Sequence, residues 1–216
     1  FLNFVIIGGG PTGVEMAGAI AEIAYETMLQ NFRRIDTSKT KIYLVEGSPH
    51  ILPVYPEKLS LKARKYLENF GVNVITGKRV TDITSEGVTI ENTFIPAWNV
   101  LWAAGNKASP VLKSLNVPLD KQGRAIVEAD LSLPDHPEIF VIGDAACAYD
   151  KKGRPLPGLA PVAVQQGRYL ANILRRRLPK KERPPFTYFD KGTMATIGKT
   201  KAIGMFGKIQ FSGFIA

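Results

Sequence analysis

The sequence predicts an α/β protein whose first half is a Rossmann-like unit carrying a β-meander. Three observations support this. The apolar run Phe4-Val5-Ile6-Ile7 leads into Gly8-Gly9-Gly10-Pro11-Thr12-Gly13, and beyond it Val14, Ala17, Ala21, Ala24 and Met28 recur at helical spacing. A second apolar strand, Lys41 to Val45, ends on the acidic Glu46. From there to Gly105, strand and helix patterns continue to alternate.

The first observation carries the most chemistry. Strand, G-x-G-x-x-G and helix in that order form the dinucleotide-binding fingerprint. Gly8 serves the tight turn, Gly10 the close approach of a pyrophosphate, and Gly13 the packing of helix on strand. Pro11 and Thr12 open the helix, whose first N–H groups face the phosphates. An acidic residue is expected about 20 residues further on to hold the adenosine ribose. Glu46 lies 33 positions after Gly13, and a helical extension from Glu22 to Asp36 accounts for the excess. Its carboxylate favours NAD(H) over NADP(H), because it repels a 2′-phosphate. The plainer alternative is a glycine turn in an α/β protein with a surface glutamate.

The remaining elements follow in order. Pro56 to Phe70 reads as a helix stopped by Gly71, and Val72 to Ile75 as a strand. Val80 to Ile83 and Val88 to Ile90 alternate around Ser85-Glu86-Gly87 as a hairpin, and Val100 to Ala104 is a further strand. Beyond Gly105 come proline-rich loops and a buried strand, Ile139 to Ile142, ending at Gly143-Asp144-Ala145. A helix then runs from about Pro161 to Leu178, and strand-like stretches follow at 186–189, 194–197 and 203–206. No internal repeat or low-complexity segment stands out.

Composition narrows the classes. With 216 residues, 45% hydrophobic and 22% charged, the chain can build one large or two small cores. The net charge of +9 is densest at Arg175-Arg176-Arg177, Lys180, Lys181 and Arg183, which reads as a solvated helix end. No aromatics interleave with these cations as a nucleic-acid groove would require. The one cysteine, Cys147, allows neither an internal disulfide nor a C-x-x-C pair and reads as a small packed hydrophobe. His50 and His136 lack ligand spacing, so no metal site is expected. No apolar run approaches the length of a membrane-spanning helix.

The fingerprint with Glu15 behind it, Leu101-Trp102-Ala103-Ala104-Gly105 and Ile142-Gly143-Asp144 resemble the two-dinucleotide-binding-domain flavoproteins. Phe32-Arg33-Arg34-Ile35-Asp36, the LAPVAVQQG of 159–167 and the DKGTMATIG of 190–198 resemble, more narrowly, the type II NADH:quinone oxidoreductases. That resemblance implies an NADH domain over 1–104. It implies that 105–216 is the C-terminal part of an FAD domain with the start of a membrane-proximal tail. The cofactors would be NAD(H) and FAD. Hydride would pass from NADH to FAD, and two electrons would then reach a quinone. The enzyme would sit peripherally on the cytoplasmic face of the inner membrane, held by a C-terminal region beyond this sequence, with a homodimer allowed.

The same resemblance gives roles to single residues. Glu15 would contact the nicotinamide region, which Ala104 and Gly105 would admit. Asp144, between Gly143 and Ala145, would bond the FAD ribityl chain, and Lys191 would reach the isoalloxazine edge. Gln165 and Gln166 would serve the quinone end. Plainer readings stay open: helix-start electrostatics for Glu15, a turn cap for Asp144, and surface positions for the glutamines and Lys191. The chain departs from the family where Pro161 replaces a glutamine. The first flavin Rossmann unit before Phe1 and the C-terminal anchor are also missing, so the sequence reads as a piece. Two other functions compete: another FAD/NAD(P)H reductase of this architecture, and an NADH-binding module without catalysis of its own.

Overall fold

The computed structural model describes residues 2–29, 31 and 35–214. The Phe32-Arg33-Arg34 part of the family-like motif therefore lies outside the described residues. In chain order the elements begin with β1 (Asn3–Ile7), α1 (Pro11–Glu22), β2 (Lys41–Glu46), α2 (Glu57–Asn69) and β3 (Val72–Thr76). Next come β4 (Val80–Thr84), β5 (Gly87–Ile90), β6 (Thr93–Pro96), β7 (Asn99–Trp102), β8 (Ala125–Ile126), β9 (Ser132–Leu133) and β10 (His136–Phe140). The chain finishes with β11 (Ala146–Cys147), α3 (Ala160–Arg176), β12 (Thr193–Ile197), β13 (Lys201–Phe206) and β14 (Ile209–Gly213). They fall into two compact units, Phe1–Gly105 with Gly192–Ala216, and Asn106–Lys191.

The first unit is built on a parallel sheet of order β3-β2-β1-β7. The middles of its central strands are mostly apolar because both faces are covered. Ile6, Ile42 and Leu44 pack toward α1 and α2, while Val5, Ile7 and Val45 meet Val88, Ile90 and Ile95 of the β4-β5-β6 meander. The side of α1 turned to this core is almost bare: Gly13, Val14, Ala17, Gly18 and Ala21 are buried.

The structure departs from the sequence reading first in the segment before β2. Among the described residues, the helix expected from Glu22 to Asp36 is not continuous. α1 widens into a π-helical turn at Ile23–Thr27, closed by Met28 N–H on Ile23 O at 2.9 Å. Asp36 then caps a 3₁₀ turn at Thr37–Lys39 through Ser38 N–H. The wide turn lets Tyr25 donate to Thr40 O at 2.6 Å and pins the approach to β2.

The second departure concerns the tail. The division at 104/105 would place residues 192–216 in the second body, yet they pack on the first. Ala195, Ile197 and Ile203 join the core of α1 and α2. The physical reason is a glycine seam, because a Cβ on Gly18 would lie 2.8 Å from Gly198 N. β12, β13 and β14 form an antiparallel sheet over these helices, and the last strand falls outside the stretches expected from sequence.

The second unit holds its core around Leu112, Ala125, Leu131, Leu133, Val141 and Val162. The strand expected at 139–142 is displaced to β10, which pairs antiparallel with β9 through a bulge. Residues 186–189 are not a strand: Phe186 N–H finds a single carbonyl, Ala129 O at 2.7 Å, while Phe189 is bonded by a side chain described below. α3 stops at Arg176, with Arg177 left-handed at φ 50°. The basic run after it is not wholly solvated. Arg183 donates to buried Asp130 at 3.1 Å and to Pro137 O at 2.7 Å, and lies over the Phe140 ring at 4.9 Å.

Candidate functional site

The glycines of the fingerprint divide the work as their surroundings demand. Gly8 takes φ +111°, and a Cβ there would sit 2.7 Å from the carbonyl of Ala103. One on Gly13 would fall 1.8 Å from Gly8 O, so the helix can meet the strand only without it. Gly10 is different, because its Cβ would meet nothing within 4 Å. That open side lies at the start of α1, where Gly10 is the N-cap, Pro11 is first, and no side chain caps or charges the first turn. Thr12 and Gly13 have no intrahelical acceptor for their N–H groups, which leaves a positive helix end ready for an anion.

Glu46 faces this turn from the end of β2. Its Oε2 accepts from Gly9 N–H at 2.6 Å and its Oε1 from Ser48 N–H at 2.7 Å. The carboxylate lines a cleft of about 320 Å³ with Gly8, Ala104, Trp102, Lys78 and Arg79 among its walls. Gly105 follows at φ +74° with open space beside it. The sequence reading missed Trp102, Lys78 and Arg79 as cleft residues. Their signal was positional: each lies at or just past the carboxyl end of a parallel strand, where such sheets bind ligands.

Glu15 has a partner the sequence did not suggest. Its Oε1 accepts from Thr196 N–H at 3.3 Å and Thr196 Oγ at 3.5 Å, linking α1 to β12. Burial, with the Glu15 charge adding to it, pushes the Tyr55 hydroxyl above its usual pKa.

In the second unit Gly143 turns at φ +67°, followed by Asp144 and Ala145 in a short 3₁₀ turn. Gln166, only 1% exposed, holds this turn: its Oε1 accepts from Gly143 N–H at 2.6 Å. Asp144 lines a cavity of about 280 Å³ together with Arg124, Gln122 and Gly158. A Cβ on Gly158 would stand 3.3 Å from Asp144 Oδ1, so the glycine keeps that carboxylate uncrowded. Gln165 points elsewhere. Its Nε2 donates to Phe189 O at 2.9 Å and its Oε1 accepts from Phe189 N–H at 3.0 Å. The two neighbouring glutamines are thus a buried turn anchor and a main-chain strap. Lys191 is exposed at the last position of the unit. Cys147 is buried, with Arg124 Nη2 donating to its sulfur at 3.8 Å.

A glycine turn opening a helix over a parallel sheet, faced by an acidic residue on the next strand, defines a dinucleotide-binding unit, and the chain belongs to the pyridine nucleotide-disulphide oxidoreductase family, whose model matches residues 2–167. Within that family it is a homologue of the type II NADH:quinone oxidoreductases, as its motifs resemble. It is 39% identical over 227 residues to such an enzyme of Mycobacterium tuberculosis, covering 100% of this chain and 48% of that protein. Against one from Staphylococcus saprophyticus the identity is 34% over 210 residues, covering 94% and 51%. The fold is similar to that of NDH2 from Plasmodium falciparum in complex with NADH, with a TM-score of 0.87 at 18% identity over 98% of this chain and 59% of that one. The chain spans about half the length of the curated relatives it matches.

Proposed function

We propose that this chain supplies the NADH-binding domain and part of the FAD domain of an NADH:quinone oxidoreductase. The observation that carries the reading is the pairing of a bare α1 N-terminus with the Glu46 carboxylate across one glycine turn. The helix end and the open face of Gly10 take the pyrophosphate, and the remaining lone pairs of Glu46 take the ribose hydroxyls. Ala104 and Gly105 leave room for the nicotinamide, with Glu15 at the mouth of the helix. A 2′-phosphate would meet the Glu46 charge, which favours NADH over NADPH.

The residues of the second unit fit a flavin. Asp144 offers an uncrowded carboxylate to a polyhydroxyl chain, and Gln166 fixes the turn that presents it. When bound, FAD supplies the hydride acceptor and the two-electron donor to quinone. Lys191 is assigned to the flavin edge and Gln165 to the quinone end. For Gln165 to donate to a quinone carbonyl, its strap to Phe189 must open. The partners are NADH, quinone, a membrane surface and a second copy of the chain, at the cytoplasmic face of the inner membrane. Among the described residues no helix is long and apolar enough to cross a membrane, which suits a peripheral protein.

Calorimetric titration of the chain and its Glu46→Gln variant with NADH and NADPH tests the reading. The variant should bind NADH more weakly by about 1.5–3 kcal/mol, the worth of a charged hydrogen bond, and discriminate less against NADPH. Equal NADH affinity in both proteins would remove Glu46 from the site.

A further inference from the structure

Arg79 stands at the end of the cleft with its guanidinium uncommitted. The loop beneath it is tied on three sides: Gly77 N–H donates to Ser48 O at 2.9 Å, Lys78 N–H to Glu46 O at 3.3 Å, and Glu91 N–H to Arg79 O at 3.2 Å. The side chain lies back against Gly47, where a Cβ would be 3.4 Å from its Cγ and 3.6 Å from its Nε. Neighbouring Lys78 faces Glu91 at 3.8 Å, whereas no hydrogen bond or ion pair occupies the Arg79 guanidinium among the described residues. Ile7, Val45 and Val80 give the same cleft an apolar lining.

An apolar slot, a free guanidinium on a fixed loop and a neighbouring carboxylate together suit a flat ring joined to a sugar. A guanidinium plane stacks on aromatic faces, apolar residues take the rest of the ring, and the carboxylate takes sugar hydroxyls. We propose that Arg79 is the adenine-recognising residue of this cleft, stacking its guanidinium on the purine of the dinucleotide whose ribose bonds Glu46. The proposal rests on the NADH reading of the cleft and deepens it. It makes affinity depend on the adenosine half of the ligand and on a planar group, not only on positive charge. Lysine, a compact ammonium, cannot replace that plane.

Calorimetric titrations of the chain, Arg79→Met and Arg79→Lys with NADH, AMP and reduced nicotinamide mononucleotide test this. AMP carries the purine with its ribose and phosphate but no nicotinamide, and the mononucleotide lacks the purine. Stacking predicts that both variants lose about fivefold in affinity for NADH and for AMP, while any binding of the mononucleotide is unchanged. Arg79 is exposed, so the urea midpoint of both variants should equal that of the parent. Parental affinities in Arg79→Lys beside weak ones in Arg79→Met would make Arg79 a point charge and overturn the stacking. Parental affinities in both variants would overturn the proposal and leave the NADH reading standing. If the parent binds neither NADH nor AMP, the NADH reading falls, and the proposal falls with it.

Discussion

The second unit contains the same five-residue turn twice, once half-buried and once more open to water. In Asp120-Lys121-Gln122-Gly123-Arg124, Asp120 Oδ1 accepts from Gln122 and Arg124 N–H, both at 2.9 Å, and Oδ2 from Arg124 Nε at 2.7 Å. In Asp150-Lys151-Lys152-Gly153-Arg154 the matching distances are 2.8, 2.9 and 2.9 Å. Gly123 and Gly153 take φ +78° and +71°. Yet the Arg124–Asp120 side chains are 12% and 17% exposed, against 71% and 25% for Arg154–Asp150. Only Arg124 reaches onward, to Leu156 O at 3.2 Å and Cys147 Sγ at 3.8 Å. Local sequence dictates the geometry of the turn, while the surroundings decide what breaking it costs.

If burial sets the cost, an ion pair in no such turn should cost most where it is most enclosed. Arg183–Asp130, at 12% and 9% exposed, is that case. Arg183→Ala should destabilise the second unit by about 3–5 kcal/mol, because a buried carboxylate is left without its charge partner. Urea unfolding of parent and variant measures this.

Arg124→Ala comes next, at about 2–3 kcal/mol by the same measurement, since its charged hydrogen bonds lie in a partly closed setting. Acid should report it too. Burial raises the Asp120 carboxyl, but hydrogen bonds from Arg124 and Gln122 outweigh it and hold the group below its ordinary value. A depressed folded pKa contributes stability above the unfolded value, near 3.9, that is lost as pH falls below it. The acid-induced loss should therefore be shallower in Arg124→Ala than in the parent. A steeper loss would contradict the assignment.

Gly123→Ala and Gly153→Ala should cost about 1 kcal/mol each, because the left-handed backbone belongs to the turn and not to its surroundings. Unequal costs would show that the two turns are not locally equivalent. Least of all, Arg154→Ala should leave the urea midpoint unmoved, as exposed pairs commonly do.

How much of this was legible in the sequence follows from the range of the interactions. The strand, glycine turn, helix and acidic strand end are written within about fifty residues and were read correctly as elements. The place of the tail depends on Gly18 meeting Gly198, a contact between glycines in distant segments that leaves no local pattern. Arg183 was read with its basic neighbours, although its partner Asp130 lies 53 positions away. Gln166 could have been found, because Val162, Gln166 and Ile173 fall at spacings of one and two helical turns and form the buried stripe of α3. The D-K-x-G-R repeat was also present in the letters and was missed because each copy is so short.

Glu46 carries one consequence further. A free glutamate side chain gives up about 1.5–2 kcal/mol of rotamer entropy when it is fixed in place. Here Gly9 and Ser48 N–H groups already hold both carboxylate oxygens, so that ordering happens as the chain folds. A ligand arriving at β2 meets a carboxylate with its direction set. In the proposed NADH site, the ribose hydroxyls would then need only match a carboxylate already oriented by the fold.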